Sequence, residues 1–512
     1  MKILVANRGE IAVRIIRACR EMGLPSVAVY SDCDRNARHV READQAFHIG
    51  PSEAAANYLR MDALLDAARR SGADAVHPGY GFLAENAAFA RACRDQGLTF
   101  IGPSPDAVAT MGSKTAAREA AIRAGVAVVP GTGAPLADGM SDADVARIAQ
   151  DVGYPLVVKA VAGGGGKGMR VVDGPAALTD AIRTARSEAG SAFGNSAVYF
   201  ERRIARPRHI EIQLLGDEHG TVIPFVEREC SIQRRHQKVV EESPSMAVSP
   251  EVRHRMAAAA AAVARAVNYT SAGTIEFLLD ERGEFFFLEM NTRLQVEHPV
   301  TEMVTAIDLV QWQIRIARGE KLDIDPERAL TPLGHAIECR IYAEDPDAGF
   351  MPSPGLIRGL RPAAGPGIRD DGGVSAGYTV PVFYDSMIAK LIAWAPSRPE
   401  AVSRMSRALR EYQVLGIRTT IPFFLWLMQR PEYVGGEYDT TYLDRLLAER
   451  ADSSTDESRR SFNDLSAGDE EVVAIAAALD AYMRASGSHG AAAQVNGSGA
   501  WTRAARREGL RS

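Results

Sequence analysis

Two glutamates, Glu276 and Glu289, lie in the run Gly273-Thr-Ile-Glu-Phe-Leu-Leu-Asp-Glu-Arg-Gly-Glu-Phe-Phe-Phe-Leu-Glu-Met-Asn291. Two apolar, aromatic-rich segments flank a short polar stretch with Gly283, the pattern of a β-hairpin. A turn centred on Arg282-Gly283 sets Glu276 directly opposite Glu289, on one face of the sheet, with Cβ atoms roughly 5 Å apart. Two like charges there need something positive between them. A hard cation such as Mg²⁺ or Mn²⁺, itself bridging to a phosphate, meets that need.

Three further segments carry chemistry of the same kind. In Tyr154-Pro-Leu-Val-Val-Lys-Ala-Val-Ala-Gly-Gly-Gly-Gly-Lys-Gly-Met-Arg-Val-Val172 an apolar strand bearing Lys159 runs into a glycine loop and out along a second strand. Gly163, Gly165 and Gly168 have G-x-G-x-x-G spacing, but a dinucleotide fingerprint must open a helix, and Met169–Val172 reads as a strand. A Walker A loop is excluded too, because Lys167 is followed by Gly168 and not by Ser or Thr. What remains is a hairpin whose tip can lay backbone N–H groups over phosphates, with Lys159 and Lys167 as point charges. The segment Glu229–Glu242 brings Arg234, Arg235, His236 and Lys238 within five residues, which predicts a pocket for a small oxyanion. Directly after the hairpin, Arg293, Gln295 and Glu297 alternate, so an extended segment offers a guanidinium fork, an amide and a carboxylate on one face. The fork suits a planar oxyanion, and the carboxylate can take its proton.

The elements that must position these groups read as alternating strands and helices at the start of the chain. Strands at Lys2–Ala6, Ser26–Tyr30, Ala75–His77 and Thr99–Ile101, with a helix over Ile11–Met22, predict a doubly wound α/β domain over residues 1–112. Alanine-rich Glu251–Val267, then Ala306–Ala317 and Ala401–Tyr412, read as helices. The net charge of −6, and arginines without interleaved aromatics, argue against nucleic acid. A 46% hydrophobic and 24% charged composition is that of a globular protein. No apolar run approaches the roughly 20 residues of a membrane span. The five cysteines (19, 33, 93, 230 and 339) form no CxxC, as expected of reduced thiols in a cytoplasmic protein. Met1 leads straight into the first strand, so no targeting segment is expected.

From Met1 to about Ala448 the chain resembles the biotin carboxylase subunit of biotin-dependent carboxylases, in the ATP-grasp superfamily. The resemblance rests on Ala6-Asn-Arg-Gly-Glu-Ile-Ala12, His77-Pro-Gly-Tyr-Gly-Phe-Leu-Ala-Glu-Asn86, Met111-Gly-Ser-Lys114 and the glycine loop. Arg208-His-Ile-Glu-Ile-Gln213, Gln233-Arg-Arg-His-Gln-Lys238, Glu289-Met-Asn-Thr-Arg-Leu-Gln-Val-Glu-His-Pro299, Glu338-Cys-Arg340 and Gly377-Tyr-Thr-Val-Pro381 extend it in the same order. It implies an ATP-grasp domain over 113–333, with a mobile lid near 131–203, and a C-terminal mixed biotin carboxylase domain over 334–448. The fold class is thus α/β with α+β.

The resemblance also implies roles. Lys114, Lys159, His209, Gly165 and Gly166 would bind ATP phosphates, with Gln233 and His236 nearby. Glu201, Arg202 and Ile204 would lie along the adenine. Glu276, Glu289 and Asn291 would hold two divalent ions, Mg²⁺ or Mn²⁺. Lys238, Arg293, Gln295 and the Val296 backbone would hold bicarbonate. Glu297 would remove its proton and Arg340 would face the ureido oxygen of biotin. The reaction implied is ATP- and bicarbonate-dependent carboxylation of biotin through carboxyphosphate, the first half-reaction of an acetyl-CoA or related acyl-CoA carboxylase; a pyruvate carboxylase subunit or another ATP-grasp ligase is the alternative. No Ala-Met-Lys-Met-like attachment sequence occurs. Biotin is therefore expected on a separate carrier protein, with separate carboxyltransferase subunits and a homodimeric enzyme. Residues 449–512 fall outside the resemblance: a polar linker, an apolar stripe at helical spacing (Val472, Ile475, Leu479, Tyr482) and a Trp501–Arg507 tail, read as a docking segment or as a disordered tail.

Overall fold

Ile3, Leu4 and Val5 are apolar without alternation because both faces of their strand are covered. In the computed structural model, which describes residues 1–137, 139–161, 168–452 and 461–462, this strand is β1 (Ile3–Val5) at the centre of a parallel sheet. It is joined by β2 (Ser26–Ser31), β3 (Gln45–Gly50), β4 (Ala75–His77) and β5 (Thr99–Phe100), in the order β3-β2-β1-β4-β5. Every pairing is parallel, with helices such as Gly9–Glu21 and Met61–Ser71 between strands, which is the doubly wound pattern expected.

A small sheet follows: β6 (Leu156–Ala160), β7 (Met169–Val172) and β8 (Val198–Arg202), antiparallel in the order β7-β6-β8. Helices Asp142–Val152 and Leu178–Phe193 accompany it, and Leu136, Ala149, Leu156, Val158, Val172 and Phe200 form its own core. Gly168 returns the chain to β7 at φ +75°, where an added Cβ would meet Ala160 Cβ at 2.8 Å, so only glycine fits. Gly165, Gly166 and Lys167, expected over phosphates, lie outside the described residues, as does the stripe at 472–482.

The functional residues sit on a large antiparallel sheet. Its strands include β9 (Arg208–Gly216), β10 (Val222–Pro224), β11 (Arg228–Arg234), β12 (Gln237–Ser243), β13 (Ser271–Leu279), β14 (Phe285–Asn291) and β15 (His335–Tyr342). The order is β14-β13-β9-β11-β12-β15, continued by strands Met387–Ala395 and Ile368–Gly372, with β10 on β9. The β12–β15 pairing carries the sheet straight across the expected boundary at 333/334. Helix Pro250–Ala266 replaces the expected Glu251–Val267 with a one-residue shift, and Ser249 caps it by accepting from the Val252 N–H. The expected helix Ala306–Ala317 begins only at Leu309. Ala306, at φ +56°, ends the preceding helix His298–Thr305, and Asp308 caps the next one. Residues 1–459 form one unit and 460–512 another, of which only Ser461 and Phe462 are described. Among the described residues no helix is long and apolar enough to cross a membrane.

Candidate active site

The hairpin β13–β14 does place Glu276 opposite Glu289. Its loop is tighter than expected: Leu279 pairs with Phe285, the Asp280 carboxylate accepts from the N–H groups of Arg282 and Glu284, and a one-residue bulge at Leu288 restores the predicted pairing. Glu276 is also the register partner of Glu211 on β9, and Glu211 that of Arg228 on β11. Four charged side chains thus form one row across four strands: Arg228, Glu211, Glu276 and Glu289.

Three acids in a row repel one another, and two cations sit over them. The Lys238 ammonium donates to Glu211, to Glu276 Oε1 at 2.9 Å and to Glu297 Oε1 at 2.9 Å. His209 Nε2 lies 3.0 Å from Glu276 and 3.3 Å from Glu211. Burial alone would lower the imidazole, but the Glu276 and Glu211 carboxylates outweigh it and raise His209 to about 9. Burial would raise Glu211 and Glu276; Lys238 and His209 instead bring Glu211 to about 2 and hold Glu276 well below the usual carboxylate range. Glu289 has weaker support, because Lys114, Lys238 and His209 act on it through space and none of them pairs with it. Desolvation by the surrounding protein and the charge of Glu276 push it up, although its side chain is exposed. Among the described residues it has no hydrogen bond or ion pair.

Arg228 holds the row from beneath. Fully buried, its guanidinium donates to Glu211 Oε2 (3.1 Å), Gln213 Oε1 (2.9 Å), Thr301 Oγ1 (3.0 Å), Thr274 Oγ1 (3.1 Å) and Gln295 Oε1 (2.5 Å). Gln295, so anchored, turns its amide nitrogen to Glu276 Oε1 at 2.7 Å.

The segment after β14 is not extended. Turns carry Thr292–Glu297 into the helix His298–Thr305, with Pro299 in its first turn. Gln295 and Glu297 still converge, but Arg293 leaves them, donating to Glu85 Oε2 (2.9 Å) and Asn291 Oδ1 (2.9 Å). Glu85, 208 residues earlier in the chain, is the tertiary partner that overrides the alternation. Glu297, buried, is gripped from both sides: Lys238 on one oxygen and Arg340 Nη2 at 3.1 Å on the other. Burial would raise it, and Lys238 and Arg340 bring it below its ordinary value, so it stands ionised. Asn291 donates Nδ2 to Glu276 Oε1 at 2.7 Å, and the Val296 carbonyl accepts from Lys390 at 2.8 Å.

The basic five-residue run does not gather into one pocket. Arg235 and His236 occupy the β11–β12 turn at positive φ and are exposed. Arg234 turns to Glu344 at 2.9 Å and stacks over Phe350. Only Lys238 reaches the acids, because a hairpin turn splits the run between two strands. Gln233 approaches His209 Nδ1 at 3.3 Å and donates to the Cys230 carbonyl.

A second cluster joins the small sheet to this one. Lys159 pairs with Glu201, whose other oxygen lies 3.3 Å from Arg118 Nη1. Burial lowers Lys114, which also feels Glu289, Lys159 and Glu201, so it links the two clusters. Arg202 points to the other face of β8, with Nε on the Val152 carbonyl at 3.3 Å, and Ile204 follows the strand half-buried. None of these residues lines the cavity of about 360 Å³ bounded by Arg94, Phe100, Glu218 and Gln313.

Sequence reasoning assigned nothing to Glu211, Arg228, Glu241, Glu85 or Arg118. The first had a signal: His209, Glu211 and Gln213 alternate polar on one face of an otherwise apolar strand, which a solvent-facing strand would share but a buried one would not.

Comparison with known proteins bears on all of this chain except its end. The family descriptions "Biotin carboxylase, N-terminal domain" (residues 1–108), "Carbamoyl-phosphate synthase L chain, ATP binding domain" (113–325) and "Biotin carboxylase C-terminal domain" (338–445) match it. A biotin carboxylase of Nostoc sp. is 51% identical over 447 residues, 87% of this chain and 99% of that protein. A pyruvate carboxylase subunit from Methanothermobacter thermautotrophicus is 52% identical over 444 residues, 86% of this chain and 89% of that one. Among solved structures, Campylobacter jejuni biotin carboxylase in complex with an ATP form superposes with a TM-score of 0.84 at 45% identity, covering 87% of this chain and 98% of that one. The biotin carboxylase domain dimer of Hydrogenobacter thermophilus 2-oxoglutarate carboxylase, with MgADP, ADP and bicarbonate, gives 0.83 at 46% identity, covering 89% and 99%.

Proposed function

The chain belongs to the biotin carboxylase family of ATP-dependent ligases, and from that premise we propose that it carboxylates biotin on a separate carrier protein, through carboxyphosphate, for an acetyl-CoA or related acyl-CoA carboxylase. One observation carries this reading: a buried, ionised Glu297 held between Lys238 and Arg340, with Lys238 also tied to Glu211 and Glu276 of the row that leads to Glu289.

In this reading bicarbonate lies against Lys238, Gln295, Arg293 and the Val296 N–H. An anion that draws Lys238 and Arg340 away from Glu297 returns basicity to that carboxylate, which then takes the bicarbonate proton. Bicarbonate oxygen attacks the γ-phosphate of ATP, giving carboxyphosphate and ADP; Lys238 and His209 offset the charge on the transferring group. Carboxyphosphate breaks to CO₂ and phosphate, phosphate takes the biotin N1′ proton, and Arg340 holds the ureido oxygen while the nitrogen attacks CO₂. Lys114, Lys159, Gln233, Gly165 and Gly166 serve the phosphates, with His236 at the edge of that group. Glu201, Arg202 and Ile204 border the adenine. Residues 131–203, with a core of their own, act as the lid that excludes water. Boundaries at 112/113 and 333/334 complete the partition.

The row Glu211–Glu276–Glu289 fits divalent cations, since Glu289 is an acid without a partner among the described residues, facing Glu276. Glu276, Glu289 and Asn291 would hold Mg²⁺ or Mn²⁺, which when bound neutralises phosphate charge. Carrier and carboxyltransferase subunits, a homodimer and a cytoplasmic setting belong to the same proposal. A second reading, service to a pyruvate carboxylase, is favoured by the 52% identity to such a subunit.

ADP release by purified protein tests the core. Turnover that needs bicarbonate, rises with free biotin and collapses in Glu297→Ala is expected; turnover indifferent to biotin would move the assignment to another ligase. Reconstitution with carrier and carboxyltransferase subunits, offered acetyl-CoA or pyruvate, separates the two acceptors.

A further inference from the structure

The sheet face that carries Arg340 carries two acids with no part in the reaction above. Glu241 on β12 and Glu338 on β15 are register partners, so their side chains leave one face side by side. Arg340, two residues along β15, shares that face, and Lys390 on the strand Met387–Ala395 is the register partner of Arg340. All four are buried. Arg340 commits Nε to Glu241 Oε1 at 2.7 Å and Nη2 to the same oxygen at 2.5 Å and to Glu297 at 3.1 Å, with the Tyr342 hydroxyl as a further side-chain partner. Lys390 commits its ammonium to the Val296 carbonyl at 2.8 Å and lies 3.5 Å from Glu10. Three acceptors are left over. Glu241 Oε2 and both oxygens of Glu338 are buried without a hydrogen-bond partner. Two neighbouring anions with three empty oxygens in so dry a place carry a large desolvation cost, and a proton between them lowers it by neutralising one anion and pairing two of the three oxygens.

We infer that Glu338 carries a proton, donates it to Glu241 Oε2, and so acts as a positioning residue for Arg340. The inference rests on the proposed role of Arg340 toward biotin. With Oε2 of Glu241 occupied, that carboxylate grips Arg340 through one oxygen only, which fixes the direction in which the guanidinium points. The charged groups facing the pair are consistent with one shared proton. Burial and Glu241 push Glu338 far up, against Lys390 and Arg340. Burial raises Glu241 to about 7, with Arg340 and Lys238 opposing and Glu297 reinforcing.

Two variants and two readouts test this. Glu338→Gln keeps a donor in place; Glu338→Leu removes it in similar volume. In difference infrared spectra at neutral pH, wild type minus Glu338→Gln should show the C=O stretch of a protonated carboxyl; only ionised-carboxylate bands in the difference would overturn the inference. In biotin carboxylation, Glu338→Leu should lose roughly tenfold to a hundredfold in kcat/KM for biotin, the range for a lost hydrogen bond to a charged group, with KM for ATP little changed. Glu338→Gln should recover most of that loss. Leu equal to wild type, or Gln as impaired as Leu, would refute the positioning role. Wild type without biotin-dependent turnover would refute the reaction instead, and the infrared difference would still decide the proton.

Discussion

Replacing Arg228 by methionine should damage stability and catalysis together, and the structure sets the scale. The guanidinium is fully buried and satisfies five acceptors on β9, β13, the turn before the helix His298–Thr305 and that helix itself. Methionine fills most of the volume and supplies no donor. Glu211 then loses one of its three cationic partners while still buried, and Gln213, Thr274, Thr301 and Gln295 lose a donor each. Breaking a buried ion pair from one side costs about 3–5 kcal/mol, a figure that already contains much of the hydrogen-bond loss. Catalysis suffers by a different route. Gln295 is aimed at Glu276 because Arg228 fixes its carbonyl end. A freed amide rotates, so the half-saturating bicarbonate concentration should rise by about tenfold or more. Thermal unfolding and bicarbonate titrations of ADP release measure both effects. Arg228→Lys should recover little, since one ammonium cannot span a fork of five contacts. A methionine variant that melts within a degree of wild type, with unchanged bicarbonate dependence, would refute the claim that Arg228 organises the row.

Other expectations are more local. Glu289→Gln removes the partnerless acid of the row, and the Mg²⁺ concentration needed for half-maximal turnover should rise by about tenfold to a hundredfold; an unchanged requirement would place the ions elsewhere. Lys159→Met leaves Glu201 with Arg118 alone, and KM for ATP should rise by roughly tenfold, read in the same ADP assay. Asp34 gives a pH test far from the chemistry. Burial would raise it, but the two Arg8 hydrogen bonds bring it from 3.8 to about 2. A depressed carboxylate contributes stability above its unfolded pKa and loses it as pH falls through the folded one. Roughly 2–3 kcal/mol should therefore disappear between about pH 4 and pH 2. Asp34→Asn should be less stable at pH 7 and lack that part of the acid transition, as followed by chemical unfolding across this range.

What the sequence disclosed depends on how local the cause is. Facing Glu276 and Glu289 could be read because a hairpin is set by its own turn, although the pairing arises through a tighter loop and a compensating bulge at Leu288. The parallel sheet at the start was legible because apolar strands and amphipathic helices alternate at short range. The turns around Arg293 were not legible for the opposite reason: its alternation with Gln295 and Glu297 is local, but its partner Glu85 is brought by a different part of the fold. The run Arg234–Lys238 failed by its turn. Two residues at positive φ, Arg235 and His236, reverse the chain and send Arg234 and Lys238 to different acids.

Glu211 and Arg228 explain why spacing alone falls short at this site. Each acid of the row is expensive by itself, and Glu211 and Glu276 are tolerated because cations from three strands cover them: Arg228 from β11, Lys238 from β12, His209 from β9. Glu211, with three such partners, is held near 2. Glu289 has no paired cation among the described residues and is pushed up by burial and Glu276. The row therefore runs from over-compensated to uncompensated, and its open end is the end that Lys114 reaches. A dication bound there would complete a gradient that the side chains leave unfinished, while Lys238 ties the middle of the row to Glu297. Charge compensation across strands is a property of register, and register between strands far apart in the chain is what the sequence does not spell out.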